Sequence, residues 1–149
     1  STLTLALTVP CYNEAKRLSL ERFAEALKQL PWLQLYFVDD GSTDDTSSRI
    51  ETLREQVADR VHLLQLPHNQ GKAFAVHHGL SVSSETGVPL LGYWDADLSA
   101  PLSELPSMRQ QLIDHDEVEV VFGARVRLLG RDVRRSMLRH YLGNYLACR

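Results

Sequence analysis

Residues 90–97 read LLGYWDAD, an apolar run that ends in two carboxylates separated by one alanine. Such a run is typical of a buried strand, and Asp95 and Asp97 follow where that strand should end. Carboxylate oxygens suit Mg²⁺ or Mn²⁺, and Mg²⁺ commonly uses one or two of them together with substrate phosphates. A turn with helix-capping side chains explains the pair equally well when it stands alone. Its meaning therefore depends on the rest of the chain.

Similar apolar runs alternate with helical patterns from one end of the chain to the other. We predict strands over residues 3–10, 33–38, 61–66, 90–94 and 118–122, and helices over residues 20–30, 43–57, 73–80 and 105–113. This alternation predicts an α/β fold, in which a mainly parallel sheet carries helices on both faces. A chain of 149 residues, 44% hydrophobic and 23% charged, has the size and composition of one globular domain of this class.

A polar cluster follows each predicted strand. The clusters are PCYNE at 10–14, DDGS at 39–42, PHNQGK at 67–72, DAD at 95–97 and GAR at 123–125. Ligands of open α/β sheets bind beside the carboxyl ends of the strands. We therefore expect the five clusters to share one edge of the sheet and to form the functional site there.

The first two clusters offer groups that suit a nucleoside. Tyr12 can stack on a planar base, and Glu14 can position a cation or a hydroxyl. Asp39 can accept hydrogen bonds from ribose hydroxyls or a base N–H, and Asp40 is a second candidate. Both clusters also fit ordinary turns between a strand and a helix, so each assignment has a purely structural alternative.

The third cluster offers groups that suit a phosphate. Gly71 allows close approach to the start of a helix, where backbone N–H groups and the helix dipole favour anions. Lys72 adds a positive charge at the same place. Neither a GxxxxGK[ST] phosphate loop nor a GxGxxG fingerprint occurs in the sequence, so the cluster is not one of the common nucleotide-binding motifs.

Positive charge is concentrated at the end of the chain. The net charge of −3 argues against a general nucleic-acid binder, yet residues 125–149 hold seven arginines and one acid. This imbalance indicates an anionic partner for that end. We predict a catalytic domain over residues 1–130 and a basic amphipathic helical tail over residues 131–149. The tail either packs in the core of a larger protein or lies on an anionic membrane surface.

The two cysteines provide information on the cellular compartment. Cys11 and Cys148 have no spacing typical of a metal site or a disulfide framework, and they read as free thiols in a reduced compartment. The sequence contains no signal peptide and no apolar run of about 18 residues. We expect a trimmed catalytic domain with a truncated or membrane-proximal tail, located in the cytoplasm or at the cytoplasmic face of a membrane.

Taken in order, the clusters resemble family 2 glycosyltransferases of the GT-A fold. The residues that carry the resemblance are 10–14 (PCYNE), 38–44 (VDDGSTD), 69–72 (NQGK) and 95–99 (DADLS). With residues 123–125 and the arginine-rich stretch 134–139 (RRSMLR), they look most similar to the polyprenyl (dolichyl) phosphate sugar synthases of that family. The arginine-rich stretch is more similar to the glucosyl members, and the mannosyl members are the close alternative.

The resemblance implies a Rossmann-like three-layer sandwich and a metal-dependent, inverting transfer of a hexose from a UDP- or GDP-sugar to a lipid phosphate. The residues assigned to the nucleotide sugar are Pro10, Tyr12, Glu14, Asp39, Asp40, Lys72, Asp95 and Ala96. Mg²⁺ or Mn²⁺ is assigned to Asp95, Asp97 and Ser99, the acceptor phosphate to Arg125, Arg135 and Arg139, and the catalytic roles to Asp97 and Arg125. The implied partners are the donor, the lipid phosphate and, through the basic tail, a membrane surface.

Two alternatives remain open. The first is a family 2 glycosyltransferase that acts on a saccharide hydroxyl, although the Glu-Asp base motif of those members is not found in this sequence. A non-catalytic nucleotide-sugar-binding domain is the second alternative, and the presence of both Asp95 and Asp97 speaks against it. A nucleotidyltransferase is disfavoured because no glycine-rich loop follows the first predicted strand.

Overall fold

The computed structural model describes residues 3–122 and 145–148. Its strands are β1 (Leu5–Cys11), β2 (Leu33–Asp39), β3 (Val61–Gln65), β4 (Leu90–Tyr93), β5 (Val120–Phe122) and β6 (Tyr145–Cys148). Its helices are α1 (Leu20–Gln29), α2 (Thr46–Gln56), α3 (Lys72–Glu85) and α4 (Leu105–Asp114), the last preceded by a 3₁₀ turn at Leu102–Glu104.

The six strands form one mainly parallel sheet in the order β3-β2-β1-β4-β6-β5. Strands β1 to β4 are parallel to one another, and β6 is antiparallel to both β4 and β5. Because the parallel strands run the same way, the loops that follow them lie at one edge. The predicted α/β class and mainly parallel sheet are confirmed.

Helices cover both faces of this sheet. Leu5, Leu7 and Val9 of β1 point into a large apolar core with the buried residues of α1, α2 and α4. On the other face, Ala6 and Tyr36 pack in a smaller core beside α3. The two-residue alternation along β1 therefore divides the side chains between two helical layers, as expected for a three-layer sandwich.

One buried polar atom in the smaller layer is unsatisfied. Thr8 is fully buried, and its Oγ1 has no hydrogen-bond partner among the described residues. We expect Thr8→Val to raise the free energy of unfolding by about 1 kcal/mol, because valine keeps the shape and removes the stranded hydroxyl. Urea unfolding followed by circular dichroism measures this. Thr8→Ser, which keeps the hydroxyl and loses the methyl group, should be less stable, and a destabilised valine variant would contradict the prediction.

The last described residues correct the predicted helical tail. Tyr145–Cys148 is a strand that pairs with β4 and β5, whereas helical periodicity predicted a helix there. The reason is tertiary: this apolar segment satisfies the backbone groups that β4 would otherwise leave unpaired along one edge. Residues 123–144 and 149 lie outside the described part of the chain, so the rest of the helical tail and the boundary at residue 130 stay predictions.

Candidate functional site

An open cleft of about 330 Å³ lies beside the carboxyl ends of β1 to β4, a volume within the range of small-molecule sites. The residues that line it are Pro10, Cys11, Tyr12, Glu14, Asp40, Asn69, Gly71, Lys72, Ala75, Asp95, Ala96 and Asp97. All of them except Ala75 come from the first four predicted clusters, so the expectation that these four share one edge is confirmed. The fifth cluster, residues 123–125, lies outside the described residues. Of the predicted donor and metal residues that the structure describes, Asp39 and Ser99 are not in this lining.

The loop after β1 is bonded along its length to the loop after β2. Three consecutive backbone N–H groups, at residues 13–15, donate to side chains of that loop and of Thr46, the first residue of α2. The acceptors are Ser42 Oγ at 2.9 Å from Asn13 N, Thr46 Oγ1 at 2.9 Å from Glu14 N, and Asp44 Oδ2 at 3.2 Å from Ala15 N. This bonding fixes the backbone that presents Tyr12 and Glu14 to the cleft.

Asn13 completes the connection in the opposite direction. Its Oδ1 accepts from Thr43 N at 2.8 Å and Asp44 N at 3.4 Å. Its φ of 49° lies in the left-handed region, which asparagine tolerates better than most residues. The site analysis from sequence did not assign Asn13 a role, although an asparagine in a turn after a strand is a known signal for such bonding.

Substitution can separate the two structural contributions of Asn13, its acceptor oxygen and its left-handed backbone conformation. We expect the free energy of unfolding to decrease from Asn13→Asp to Asn13→Gly to Asn13→Ala. For Asn13→Ala it should be about 2–3 kcal/mol lower than for the native chain. Aspartate keeps the acceptor oxygen, glycine keeps only the backbone conformation, and alanine keeps neither. Urea unfolding measures the series. A glycine variant as stable as the native chain would show that the Asn13 side chain contributes nothing.

Tyr12 and Glu14 are presented differently. The Tyr12 side chain is 45% exposed at the cleft, so its ring is accessible to a planar base. Glu14 forms an ion pair with Arg17, with 3.1 Å between Oε2 and Nε. A ligand hydroxyl or cation that approaches Glu14 therefore meets a carboxylate whose charge is already partly balanced.

Asp39 is not part of the cleft lining and is only 4% exposed. Its Oδ1 accepts from Ser42 N at 2.9 Å, and its Oδ2 accepts from Ser47 Oγ. These bonds close the turn between β2 and α2. The predicted contact between Asp39 and the nucleoside stays a prediction, and the structure adds a local structural role for this residue.

Asp40 joins β2 to the loop that precedes α3. It is 3% exposed, and its two oxygens accept from Gln70 N at 2.8 Å and Gly71 N at 3.0 Å. Gly71 has a φ of 95°, a backbone conformation that favours glycine, and it is the residue before the first residue of α3. Asp40 thus holds the start of α3, and with it Lys72, against the cleft.

Lys72 spans from the start of α3 to the end of β4. Its Nζ forms an ion pair with Asp95 Oδ1 and lies 5.5 Å from the centroid of the Tyr93 ring. Burial alone lowers the pKa of Lys72, but the hydrogen bond and charge of Asp95 outweigh it, so that the pKa is raised overall. Burial, followed by the negative charge of Asp95, raises the pKa of Tyr93. Lys72 is therefore held as a cation against the carboxylate.

The turn that carries Asp95 and Asp97 is anchored at its base by Trp94. The indole Nε1 donates to Ala100 O at 2.9 Å, across the turn, and the Trp94 side chain is fully buried. Leu98 within the turn has a φ of 53°, an uncommon conformation for a leucine. Its backbone N donates to Asp95 O at 3.1 Å, which closes the turn around Asp97.

The donor set fits a divalent ion shared with a substrate. Asp95 and Asp97 both line the cleft, and Asp97 is exposed. Among residues 3–122 and 145–148, no group of three or more His, Cys, Asp or Glu side chains is placed to hold an ion by itself. Two carboxylates are what Mg²⁺ or Mn²⁺ uses when phosphate oxygens complete its coordination. The backbone N of Ser99 donates to Asp97 Oδ1 at 2.9 Å, so Ser99 supports this carboxylate, and its predicted role as a ligand stays a prediction.

Four residues of the cleft wall were not among the assigned site residues: Cys11, Asn69, Gly71 and Ala75. Burial, with the nearby charges of Glu14 and Asp39, raises the pKa of the Cys11 thiol, so this side chain is an uncharged part of the wall. Ala75 lies three residues after Lys72 on α3, which places both on one side of the helix. That spacing is the signal by which Ala75 could be found from sequence.

Comparison with known proteins agrees with this geometry. The family model described as "Glycosyl transferase family 2" matches residues 7–147. The chain belongs to glycosyl transferase family 2. The predicted family is therefore confirmed.

Curated relatives in this family act on lipid phosphates, by their names. The chain is 31% identical to a dolichyl-phosphate beta-glucosyltransferase of Mus musculus, over 95% of the chain and 47% of the relative. It is 33% identical to a dodecaprenyl-phosphate galacturonate synthase of Rhizobium johnstonii, over 83% of the chain and 36% of the relative. The chain thus spans about half, or less, of the length of these relatives.

Solved structures of glycosyltransferases share the fold. A mannosyltransferase from Pyrobaculum calidifontis in complex with GDP-Man and Mn²⁺ matches with a TM-score of 0.62 and 24% identity, over 81% of this chain and 35% of that one. Staphylococcus aureus TarS (residues 1–349) in complex with UDP matches with a TM-score of 0.66 and 22% identity, over 90% and 39%. These likenesses confirm the predicted GT-A fold.

Proposed function

We propose that this family 2 glycosyltransferase binds a UDP- or GDP-sugar in the cleft and transfers the hexose, glucose or mannose, with inversion to a polyprenyl or dolichyl phosphate. The observation that carries the proposal is the placement of Tyr12, Glu14, Lys72, Asp95 and Asp97 around one cleft at the carboxyl edge of the sheet. The names of the curated relatives support a lipid phosphate as acceptor.

We assign Mg²⁺ or Mn²⁺ to Asp95 and Asp97, with Ser99 as a further candidate. When bound, the ion acts as a Lewis acid that stabilises the negative charge of the leaving nucleoside diphosphate. The chain contributes the Lys72 ammonium and the N-terminal end of α3 beside the same diphosphate. The complex of the similar mannosyltransferase with Mn²⁺ and GDP-Man supports a divalent ion.

The acceptor phosphate is already an anion, so its attack on the sugar needs no strong general base. The acceptor phosphate needs positive charge to balance its own, and we assign this role to Arg125 with Arg135 and Arg139. These arginines lie outside the described residues. The described residues on either side support the assignment, because β5 ends at Phe122 and β6 begins at Tyr145, which pairs with Phe122 and with Tyr93 at the end of β4. The chain therefore leaves and re-enters the sheet at the cleft edge.

A lipid phosphate acceptor implies that the reaction takes place at a membrane surface. We propose that this is the cytoplasmic face of the membrane. The arginine excess of residues 125–149 is the feature that would meet anionic headgroups. Within residues 3–122 and 145–148, no helix combines the length and the apolar character needed to span a bilayer.

The proposal is tested by incubating the chain with polyprenyl phosphate, Mn²⁺ or Mg²⁺, and UDP- and GDP-sugars in turn. We expect a lipid-linked sugar of inverted anomeric configuration from one donor, and none after chelation of the ion. Isothermal titration calorimetry with UDP and GDP gives an independent readout of the cleft. No product from any donor, with no metal-dependent nucleotide binding, would refute the proposal.

A further inference from the structure

The ion pair between Lys72 and Asp95 places a cation on one of the two proposed metal ligands. Lys72 Nζ contacts Asp95 Oδ1, although the two residues follow different strands. The Lys72 side chain is 57% exposed and that of Asp95 is 20% exposed. Ion pairs with this much solvent access are weak, so another cation can replace the ammonium.

The balance of charged side chains in the cleft indicates what the contact between Lys72 and Asp95 does. Among the described residues that line the cleft, Lys72 is the only cation. Four carboxylates line the cleft with it, and because Glu14 is paired with Arg17, the other three, Asp40, Asp95 and Asp97, stand against one ammonium. A nucleoside diphosphate that enters alone meets net negative charge. A divalent ion that enters alone has to compete with Lys72 for Asp95. Binding of either ligand alone is therefore disfavoured. When both bind, the positive charge of the ion offsets the negative charges of the diphosphate and of the cleft carboxylates.

Lys72 has a second anionic partner when a diphosphate is present. It is the first residue of α3 and lines the cleft beside Gly71, where backbone N–H groups and the helix dipole favour phosphate. Its long, exposed side chain can move from Asp95 to a phosphate oxygen by rotamer changes alone. Asp40 holds the backbone of this segment in place through Gln70 N and Gly71 N.

We propose that Lys72 is an exchangeable counter-ion of Asp95: it occupies this carboxylate in the free protein and transfers to the donor diphosphate when the divalent ion binds. The exchange makes binding of the ion and of the nucleotide cooperative, because each one removes the obstacle to the other. This inference rests on the proposed function, since it assumes that the ion and a nucleoside diphosphate use this cleft.

The test measures binding of Mn²⁺ alone, by electron paramagnetic resonance of the free ion, and of UDP and GDP with and without Mn²⁺, by calorimetry. Lys72→Met removes the charge and keeps the length. We expect it to bind Mn²⁺ alone about threefold more tightly, the effect of deleting a competing half-exposed ion pair. We expect it to bind the nucleotide with Mn²⁺ about tenfold more weakly, the loss of one charge-assisted contact to phosphate. Lys72→Arg should retain the native pattern.

Lys28→Met is the matched control, because it removes the same charge from an exposed position in the last turn of α1. It should change neither affinity. Opposite changes for Mn²⁺ alone and for the nucleotide support the exchange, whereas unchanged or weaker binding of Mn²⁺ alone by Lys72→Met overturns it. The Mn²⁺ measurement needs no nucleotide. If the native chain binds neither UDP nor GDP, the proposed function fails, whereas the competition between Lys72 and Mn²⁺ for Asp95 is still decided by Lys72→Met.

Discussion

Replacing Asp97 by asparagine is expected to lower metal-dependent turnover about a thousandfold, the equivalent of roughly 4 kcal/mol of transition-state stabilisation. Asparagine has the same shape and keeps an oxygen that can accept from Ser99 N, the bond seen at 2.9 Å. The amide lacks the negative charge, and its nitrogen cannot act as an oxygen ligand. The loss therefore falls on the ion, and through it on the leaving diphosphate. Formation of lipid-linked sugar across a Mn²⁺ series measures it.

Asp97 is well suited to this test because its side chain is exposed. Stability should change by less than about 0.5 kcal/mol, as for most surface substitutions, so lost activity does not reflect unfolding. Asp114→Asn is the control, because Asp114 is also exposed but lies at the end of α4 and accepts from Gln110 Nε2. Turnover of Asp97→Asn within about tenfold of native would remove Asp97 from the catalytic role.

The fold was predictable because the local hydrophobic patterns of the strands agree with their positions in the sheet. Apart from Gln34, the buried strand β2 reads as an apolar run that stops at Asp39, as a central parallel strand should. The clusters at strand ends were enough to place Tyr12, Lys72 and Asp95 at one edge, since parallel strands all end on the same side. The first inference uses only residue types within one segment, and the second adds only the rule that parallel strands end on the same side of a sheet.

Contacts between segments were not predictable in this way. Tyr145 and Leu146 belong to the tail that was predicted as an amphipathic helix, but pairing with β4 decides their conformation. Asp40 was assigned to the nucleotide sugar from its position, and the structure shows it accepting from Gln70 N and Gly71 N, some thirty residues away in sequence. A carboxylate at a strand end has the same sequence signature whether it binds a ligand or a neighbouring loop.

Asp40 provides the second large expected effect. Asp40→Asn replaces one of two acceptor oxygens with an NH₂ group, which must then face Gln70 N–H or Gly71 N–H at a position only 3% exposed. A buried donor without an acceptor costs about 1–3 kcal/mol, and we expect the free energy of unfolding to fall by that amount. The start of α3 loses its attachment, so nucleotide binding with Mn²⁺ should weaken about tenfold as well.

Two measurements distinguish this attachment from a direct contact with the donor. Urea unfolding without nucleotide detects the loss of the two backbone bonds, and calorimetry with UDP or GDP detects the effect on the cleft. Asp45→Asn is the control, since Asp45 is exposed, precedes α2 and makes no side-chain capping hydrogen bond. Weaker nucleotide binding by Asp40→Asn at unchanged stability would contradict the role in holding the loop. It would instead support the contact with the nucleotide sugar that the sequence predicted, because a residue that only contacts the ligand leaves the free protein as stable as before.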